Sequence, residues 1–302
     1  MLKLKKQLFR NIECDKKGVF EMVIALSCSD YTWPKLSHES VLKVVSELGF
    51  KAIDIGIFNT QTHVTVPDVL ADPVLVANRT LDLVRQESLV VADVFLTSDS
   101  TLEKLSPTST LDGDWEKLQE IFSAVVRFTK IVGANGITLL PGVVEPGVSH
   151  DEALNLSAER LSVLASLALK EGLATSVEPH VGSLIEDPIS TLKLLKLCPA
   201  LTVTLDPSHF GFLGFSVESM LPLISRTRHV QIRPAGPGIM QTRVCDNQLN
   251  LKLLISELVK TGYSGWIASE FVWMEKWGCD RVDNTTESYF LREYLQKMLL
   301  NN

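Results

Sequence analysis

Residues 201–210 read LTVTLDPSHF, and the first six of them have the pattern of a buried β-strand. Successive side chains of a strand point to opposite faces, so Thr202, Thr204 and Asp206 share one face and the two aliphatic residues between them occupy the other. Asp206 ends the strand. Because a buried carboxylate costs free energy unless it is paired or bound to a metal, Asp206 is a candidate functional residue.

Further short apolar runs occur on both sides of this strand, and longer segments of helical period separate them. The other seven runs are MVIALS (22–27), KAIDIGI (51–57), LVVADVFL (89–96), GITLL (136–140), LATSVEPH (173–180), RHVQIRP (228–234) and WIASEF (266–271). Strands that alternate with helices predict a parallel sheet made of βα units. Eight such units fit within the 302 residues of the chain and match a closed barrel.

An open, doubly wound sheet would use the same βα units, so the strand pattern alone is compatible with two architectures. No GxGxxG motif follows the first strand, which removes the usual signal of a dinucleotide-binding sheet. We therefore predict an α/β fold consisting of a single (β/α)8 TIM barrel over residues 22–302. Residues 1–21 are predicted to form a polar N-terminal extension or, alternatively, a helix that closes the bottom of the barrel.

Three predicted helices have recognisable start signals. Ser37 precedes one helix, and Asp72 and Asp187 each precede a proline at the first position of another. Side chains of this kind cap the free backbone N–H groups of a helix, and proline is tolerated at the first helical position. These signals support the division into alternating strands and helices.

The composition excludes several classes of function. The chain has 29 Lys and Arg residues against 36 Asp and Glu residues, and its formal charge of −7 does not favour binding to nucleic acid. Its five cysteines are scattered without a CxxC motif, which indicates a reducing compartment rather than a disulfide framework. No apolar run approaches the roughly 20 residues of a membrane span, and we expect a cytoplasmic protein without a membrane partner.

The same alternation places two more carboxylates at strand ends. Glu178 ends the fifth strand and Glu270 ends the eighth, each on the face that would point into the barrel. Functional groups of such barrels lie at the carboxyl ends of the strands, so both should meet Asp206 at one rim. Clustered carboxylates repel one another unless a cation holds them, and oxygen ligands favour Mn²⁺ or Mg²⁺.

At these residues the chain resembles the xylose-isomerase-like superfamily, and in particular its branch of ketose 3-epimerases and inosose dehydratases. The pieces that carry the resemblance are SVEPH (176–180), LDPSHF (205–210), RHVQIRPA (228–235) and IASEF (267–271). Members carry a Glu at the end of strand five, an Asp-x-x-His after strand six, a His-x-His on strand seven and a Glu at the end of strand eight. The resemblance implies that Glu178, Asp206 and Glu270 are metal ligands and that His209 contacts the substrate.

Strand seven departs from this pattern, because Gln231 stands where the second histidine is usual. Its amide oxygen would be a weak neutral ligand, and the resulting all-oxygen site would prefer Mn²⁺ or Mg²⁺ over Zn²⁺. His229, where the first histidine is usual, is predicted to be a hydrogen-bonded core residue. A barrel whose metal site has decayed is the alternative that this departure leaves open.

Other side chains near strand ends are candidates for substrate binding. These candidates are His180, Arg233, Arg243, Trp33 and His63. Each also has a simpler structural interpretation: a loop histidine for the histidines, a salt bridge within the loop for the arginines, and core packing for the tryptophan. The sequence does not decide between the two interpretations.

The resemblance implies an enzyme that moves a proton next to a sugar carbonyl through an enediolate, with Glu178 and Glu270 as the catalytic bases. We therefore predict a metal-dependent isomerase or epimerase of a small carbohydrate or polyol, with homodimers or homotetramers implied by the family. A dehydratase with the same site is the main alternative. A hydrolase similar to endonuclease IV is disfavoured, because Gln231 and the sequence Asp246-Asn247-Gln248 do not supply the histidines that its three-metal site needs.

Overall fold

A computed structural model describes residues 12–14, 20–22 and 24–301 of the chain. The predicted N-terminal extension lies largely outside the described residues. Within it, Ile12–Cys14 pairs with Phe20–Met22 as a short antiparallel ladder. None of the described helices combines the length and the apolar composition needed to cross a membrane.

Parallel strands close into a barrel, which confirms the predicted fold. We number the barrel strands in chain order: β1 (Ala25–Ser29), β2 (Ala52–Phe58), β3 (Val90–Leu96), β4 (Gly136–Leu139), β5 (Ala174–Val177), β6 (Thr202–Leu205), β7 (Thr227–Ile232) and β8 (Trp266–Ser269). Each strand pairs with its neighbours in sequence, and β1 pairs with both β2 and β8. The sheet therefore has no free edge among these eight strands, as a closed barrel requires.

Helices cover the outside of the barrel. They are α1 (His38–Glu47), α2 (Val66–Ala71), α3 (Pro73–Gln86), α4 (Asp114–Val132), α5 (His150–Lys170), α6 (Pro188–Leu197), α7 (Pro207–Phe212), α8 (Val217–Met220), α9 (Leu251–Lys260) and α10 (Asn284–Leu300). The predicted caps are confirmed: Ser37 accepts from the backbone of α1, Asp72 from α3 and Asp187 from α6. Aliphatic side chains from strands and helices form one continuous apolar core between the two layers.

The first strand begins later than its sequence predicts. MVIALS (22–27) predicted a strand from Met22, but β1 runs from Ala25 to Ser29, and Met22 belongs to the antiparallel ladder. The register explains the difference, because Ala25 pairs with Trp266 at the start of β8 and Ser29 pairs with Asp54 on β2. Pairing partners on both sides set the ends of a barrel strand, and a single apolar run does not contain them.

The barrel interior carries polar side chains at two levels. Thr138 on β4 and Thr204 on β6 meet across the barrel with their hydroxyl oxygens 2.6 Å apart, which confirms the inward face predicted for Thr204. His229 Nε2 donates to Asp54 Oδ2 at 2.6 Å and is buried, so it is a satisfied core histidine as predicted. We call Asp54, Asp93, Arg228 and His229 the deep cluster. The second level is the rim at the carboxyl ends of the strands.

Candidate metal and substrate site

Three carboxylates meet at this rim. Glu178, Asp206 and Glu270 follow β5, β6 and β8 directly, and their exposed fractions are 1%, 0% and 3%. One oxygen of each lies within 4.8 Å of an oxygen of the others. The structure therefore brings together the three residues that the strand alternation predicted, and it buries all of them.

The sheet fixes the backbone of these residues. The N–H of Glu178 donates to the carbonyl of Leu139 on β4, and that of Glu270 donates to the carbonyl of Ile232 on β7. Asp206 is also the N-cap of α7, because its Oδ1 accepts from the backbone N–H of Ser208 at 2.8 Å. Groups held by rigid elements keep their position when a ligand binds.

Tyr31 connects Glu270 to Gln231. Its hydroxyl donates to Glu270 Oε1 at 2.7 Å and accepts from Gln231 Nε2 at 3.0 Å. Tyr31 lies in the turn that follows β1, close to Trp33, which was the predicted contact from this turn. An aromatic residue just after a barrel strand was the available signal, but its partners lie 239 and 200 residues away.

Arg233 lies among the carboxylates. Its Nη2 is 3.0 Å from Asp206 Oδ2 and 3.6 Å from Glu270 Oε2, and its Nε donates to Ser208 Oγ at 2.8 Å. Burial alone would lower the pKa of Arg233, but Asp206 and Glu270 raise it above its usual value. The site therefore contains one permanent positive charge.

Two neutral histidines complete the floor of the site. His209 Nε2 accepts from Arg233 Nη2 at 2.9 Å, and the rings of His209 and His180 have centroids 4.0 Å apart. Burial, followed by the neighbouring His180 and Arg233, holds the pKa of His209 well below its usual value. Burial also lowers the pKa of His180 to about 4. Both shifts favour the uncharged form of the ring, which suits each histidine to neutral hydrogen bonding.

The glutamates resist ionisation in the absence of a bound cation. Burial raises the pKa of Glu270 to about 8, although Arg233 opposes that shift. Burial, Glu270 and Asp206 together raise the pKa of Glu178 well above its usual value. Carboxylates with raised pKa values in a cleft are characteristic of sites that transfer protons or bind cations.

Several buried oxygen atoms at the rim have no hydrogen-bond partner among the described residues. These atoms are Glu178 Oε1 and Oε2, Gln231 Oε1 and Glu270 Oε2. Buried polar atoms are almost always paired, so a set of unpaired acceptors in one place indicates a missing positive or donating partner. With ionised carboxylates, three negative charges face the single guanidinium, and the net charge of −2 matches a divalent cation. The residues therefore fit an oxygen-coordinated metal ion.

A cavity of about 890 Å³ opens over these residues. Tyr31, Phe58 and Phe95 form an aromatic cluster on one side, with ring centroids 5.0 to 6.3 Å apart. Trp273 and Trp277 line the cavity from the segment after β8, and Glu178, His180, His209, Arg233 and Glu270 also face it. Aromatic faces with a few polar groups at the base are typical of pockets for small polar molecules.

Three predicted substrate-binding residues lie outside this cavity. Arg243 is exposed and pairs with Asp246 at 2.7 Å in the loop after β7. Trp33 donates from Nε1 to Thr285 at 3.0 Å, and His63 stacks on His38 with ring centroids 4.9 Å apart. The contacts of each residue fit its simpler structural interpretation: a salt bridge within the loop for Arg243, packing against the core for Trp33 and a loop histidine for His63.

Gln241 positions the segment that carries the two tryptophans. Its Nε2 donates to the carbonyls of Val272 and Cys279 at 3.0 and 2.7 Å, and its Oε1 accepts from the N–H of Val272 at 2.8 Å. The loops after β7 and β8 are therefore joined by one buried amide. Sequence reasoning missed Gln241, because nothing local distinguishes it from an exposed loop glutamine.

The family described as xylose isomerase-like TIM barrel matches residues 42–294 of the chain. No curated protein matches the chain by sequence. The match by family spans all the barrel strands except β1, and it includes every rim residue except Tyr31.

Solved structures share the fold at low sequence identity. An L-ribulose 3-epimerase is 14% identical with a TM-score of 0.74, over 92% of this chain and 95% of that chain. A probable 3-DHS dehydratase from Bacillus anthracis is 17% identical with a TM-score of 0.67, over 89% and 99%. An IolI protein with a bound zinc atom is 14% identical with a TM-score of 0.69, over 91% and 98%. These likenesses establish a common architecture.

Proposed function

Because this chain belongs to the xylose isomerase-like TIM barrel family, we propose that it is a metal-dependent isomerase or epimerase of a sugar or a sugar-like polyol ketone. The observation that carries the proposal is the pair of buried glutamates, Glu178 and Glu270, at the base of a polar and aromatic cavity. Both keep unpaired carboxylate oxygens there. Asp206 accepts hydrogen bonds on both of its oxygens, so Glu178 and Glu270 are the rim carboxyl groups that keep an oxygen without a hydrogen bond and can move a proton.

The two glutamates come from strands three units apart in the barrel, β5 and β8. Carboxylates that approach a substrate carbon from different sides can remove a proton with one group and return it with the other. Return to the opposite face of the same carbon gives epimerisation, and return to the neighbouring carbon gives aldose–ketose isomerisation. Tyr31 holds the Glu270 carboxylate in a fixed orientation through the 2.7 Å hydrogen bond to Oε1.

A divalent cation bound at the rim would supply a Lewis acid that stabilises negative charge on the carbonyl oxygen of the substrate. Glu178, Gln231 and Glu270 offer unpartnered oxygens for it, and Asp206 lies within reach. This all-oxygen donor set favours Mn²⁺ or Mg²⁺ over Zn²⁺. The IolI structure contains zinc, so a comparison of these ions is part of the test.

We assign substrate binding to the uncharged side chains that line the cavity. His180 Nδ1 is engaged with the carbonyl of Val181 at 2.8 Å, which leaves Nε2 as a hydrogen-bond acceptor for a substrate hydroxyl. The faces of Phe58 and Trp277 provide apolar contact for the C–H groups of a sugar ring. We propose His180 and His209 as the contacts with the substrate, and Arg233 as a group beside it.

The test is exchange of a substrate proton with solvent. Purified protein loaded with Mn²⁺ is incubated in D₂O with a panel of ketohexoses, ketopentoses and keto-inositols, and deuterium next to the carbonyl is measured by NMR. We expect incorporation for at least one substrate and a loss of about 10²- to 10⁴-fold in the isosteric variants Glu178→Gln and Glu270→Gln. No exchange with any member of the panel would reject the proposal.

Dehydration is the second candidate, because Glu178 and Glu270, which come from strands three units apart, can remove a proton from one carbon and protonate the hydroxyl that leaves the neighbouring carbon. One of the similar structures is also that of a probable dehydratase. The same incubations distinguish the two reactions. A dehydratase forms a product that lacks one water and absorbs in the ultraviolet as a conjugated ketone, whereas an epimerase forms an isomer of equal mass.

A further inference from the structure

Arg233 is bound to the protein by two of its three nitrogens. Nε donates to Ser208 Oγ at 2.8 Å, and Nη2 contacts both Asp206 Oδ2 at 3.0 Å and His209 Nε2 at 2.9 Å. Its side chain is buried. These contacts fix the position of the guanidinium at the rim, so it should stay there when a ligand binds.

Both carboxylate oxygens of Asp206 accept hydrogen bonds from the protein. Oδ1 accepts from the backbone N–H of Ser208 at 2.8 Å. Oδ2 accepts from the Ser208 hydroxyl at 2.7 Å and from Arg233 Nη2 at 3.0 Å. By contrast, Glu178 has no hydrogen bond on either oxygen, and neither the amide oxygen of Gln231 nor Glu270 Oε2 accepts one, although Glu270 Oε2 lies 3.6 Å from Arg233 Nη2.

The rim oxygens therefore fall into two sets, one already bound to donors and one without partners. We propose that Arg233 is a built-in counter-cation that removes Asp206 from the ligands of the divalent ion, which Glu178, Gln231 and Glu270 hold instead. The inference rests on the proposed function in one respect, namely that a divalent cation binds at this rim. It differs from the ligand set that the family resemblance implies, in which Asp206 is a direct ligand.

Gln231 is consistent with this division. Its Nε2 is fixed on the hydroxyl of Tyr31, which also holds Glu270, so the amide oxygen is left for another partner. A neutral amide in place of a histidine weakens a metal site, and a guanidinium close to the ion weakens it further through like-charge repulsion. Both features predict a low-affinity site in which the ion is easily exchanged.

A double-mutant cycle on metal affinity tests the division without any substrate. Mn²⁺ is titrated into the metal-free parent protein and into Asp206→Asn, Arg233→Met and the double variant, with free Mn²⁺ followed by electron paramagnetic resonance. Asp206→Asn should bind about tenfold more weakly because it leaves the Arg233 charge uncompensated, and Arg233→Met about tenfold more tightly. The double variant should return to within about threefold of the parent.

The matched control is Glu178→Gln in the same Arg233→Met background. Because Glu178 is a direct ligand in this scheme, that double variant should bind about a hundredfold more weakly than Arg233→Met alone, and so about tenfold more weakly than the parent. If Asp206→Asn/Arg233→Met loses as much affinity as the Glu178 double variant, Asp206 is a ligand and the inference is wrong.

Circular dichroism and thermal unfolding check that each variant folds. If Arg233→Met does not fold, Arg233→Gln, which keeps hydrogen-bonding capacity but removes the charge, replaces it in both double variants. A parent protein that binds no divalent ion would overturn the proposed function together with this inference. A parent that binds Mn²⁺ through Asp206 would overturn this inference alone.

Discussion

The deep cluster and the rim occupy the same barrel and contain the same kinds of side chain, yet their charges are arranged differently. In the deep cluster, Asp54 pairs with His229 at 2.6 Å, and Asp93 pairs with Arg228 at 2.9 Å. At the rim, three carboxylates face the single guanidinium of Arg233. One cluster has a partner for each acid, and the other has an excess of acids.

Hydroxyl groups complete the deep cluster. Ser27 donates to Asp54 at 2.9 Å, Arg228 Nε donates to Ser176 at 2.7 Å, and Thr138 donates to Asp93. A buried polar network in which the members are paired stabilises and specifies a fold. The rim keeps unpaired acceptors, which cost free energy in the folded protein. The comparison separates a cluster of paired charges from one with unpaired acceptors within the same barrel.

The largest effect on stability should come from breaking the deep cluster. Arg228→Met leaves the Asp93 carboxylate buried without its cation, and removal of one partner of a buried ion pair typically costs about 3–5 kcal/mol. We expect a loss of about 3 kcal/mol, because the Arg228 side chain is partly accessible. Urea unfolding monitored by circular dichroism gives the value, and the double variant Asp93→Asn/Arg228→Met should recover part of it.

At the rim the expected effect on stability has the opposite sign. Glu178→Gln in the metal-free protein removes a buried carboxyl group that has no partner, so the free energy of unfolding should rise by about 1 kcal/mol. The same change should lower catalytic turnover by at least about 10²-fold. If the free energy of unfolding falls instead in the same urea titration, Glu178 stabilises the fold as Asp93 does.

Gln231→His should restore the metal ligand that the family resemblance implies. The rim would then bind a cation more tightly, while the paired charges of the deep cluster stay unchanged. We expect at least about tenfold tighter binding of a divalent ion, and more for Zn²⁺ than for Mn²⁺, since Zn²⁺ favours imidazole. Isothermal titration with both ions measures the change. Equal affinities in parent and variant for both ions would show that residue 231 does not face a metal.

The pH dependence of stability provides a smaller effect at Glu270. Its folded pKa of about 8 lies above its ordinary value of 4.5. The folded state therefore retains a proton that the unfolded state has lost between these two pH values, and the free energy of unfolding decreases as pH rises through this window. Glu270→Gln has no carboxyl group to titrate at this position, so it does not lose stability in this window. The difference between its melting temperature and that of the metal-free parent should therefore grow from pH 5 to pH 9. A constant difference across that range would contradict the burial that raises this pKa.

The smallest effect is expected at Arg243, which the sequence suggested as a substrate contact. The structure places it on the surface beside Asp246, outside the cavity over the rim. Arg243→Ala should leave kcat/KM within about twofold of the parent, because exposed ion pairs contribute little. Arg233 is buried at the rim, two residues after Gln231. Arg233→Lys is therefore the matched variant to compare with Arg243→Ala, and it should change both metal affinity and turnover.

The sequence by itself determined the fold and the three rim carboxylates. Strand alternation has a period of two and is a local property, so Asp206 could be assigned to the inner face of its strand from residues 201–206 alone. The same alternation assigned Glu178 and Glu270, and the rule that functional groups lie at the carboxyl ends of barrel strands placed them together. Neither step needs knowledge of distant contacts.

Only the tertiary structure decided which groups surround those carboxylates. The Tyr31 contact with Glu270 spans 239 residues, and the four rim partners of Arg233 belong to two other strand ends and the first turn of α7. The paths of the loops likewise separated Trp33, His63 and Arg243 from the cavity, and each has a partner elsewhere. Long side chains on loops can reach many positions, and the packing of segments far apart in sequence selects one of them.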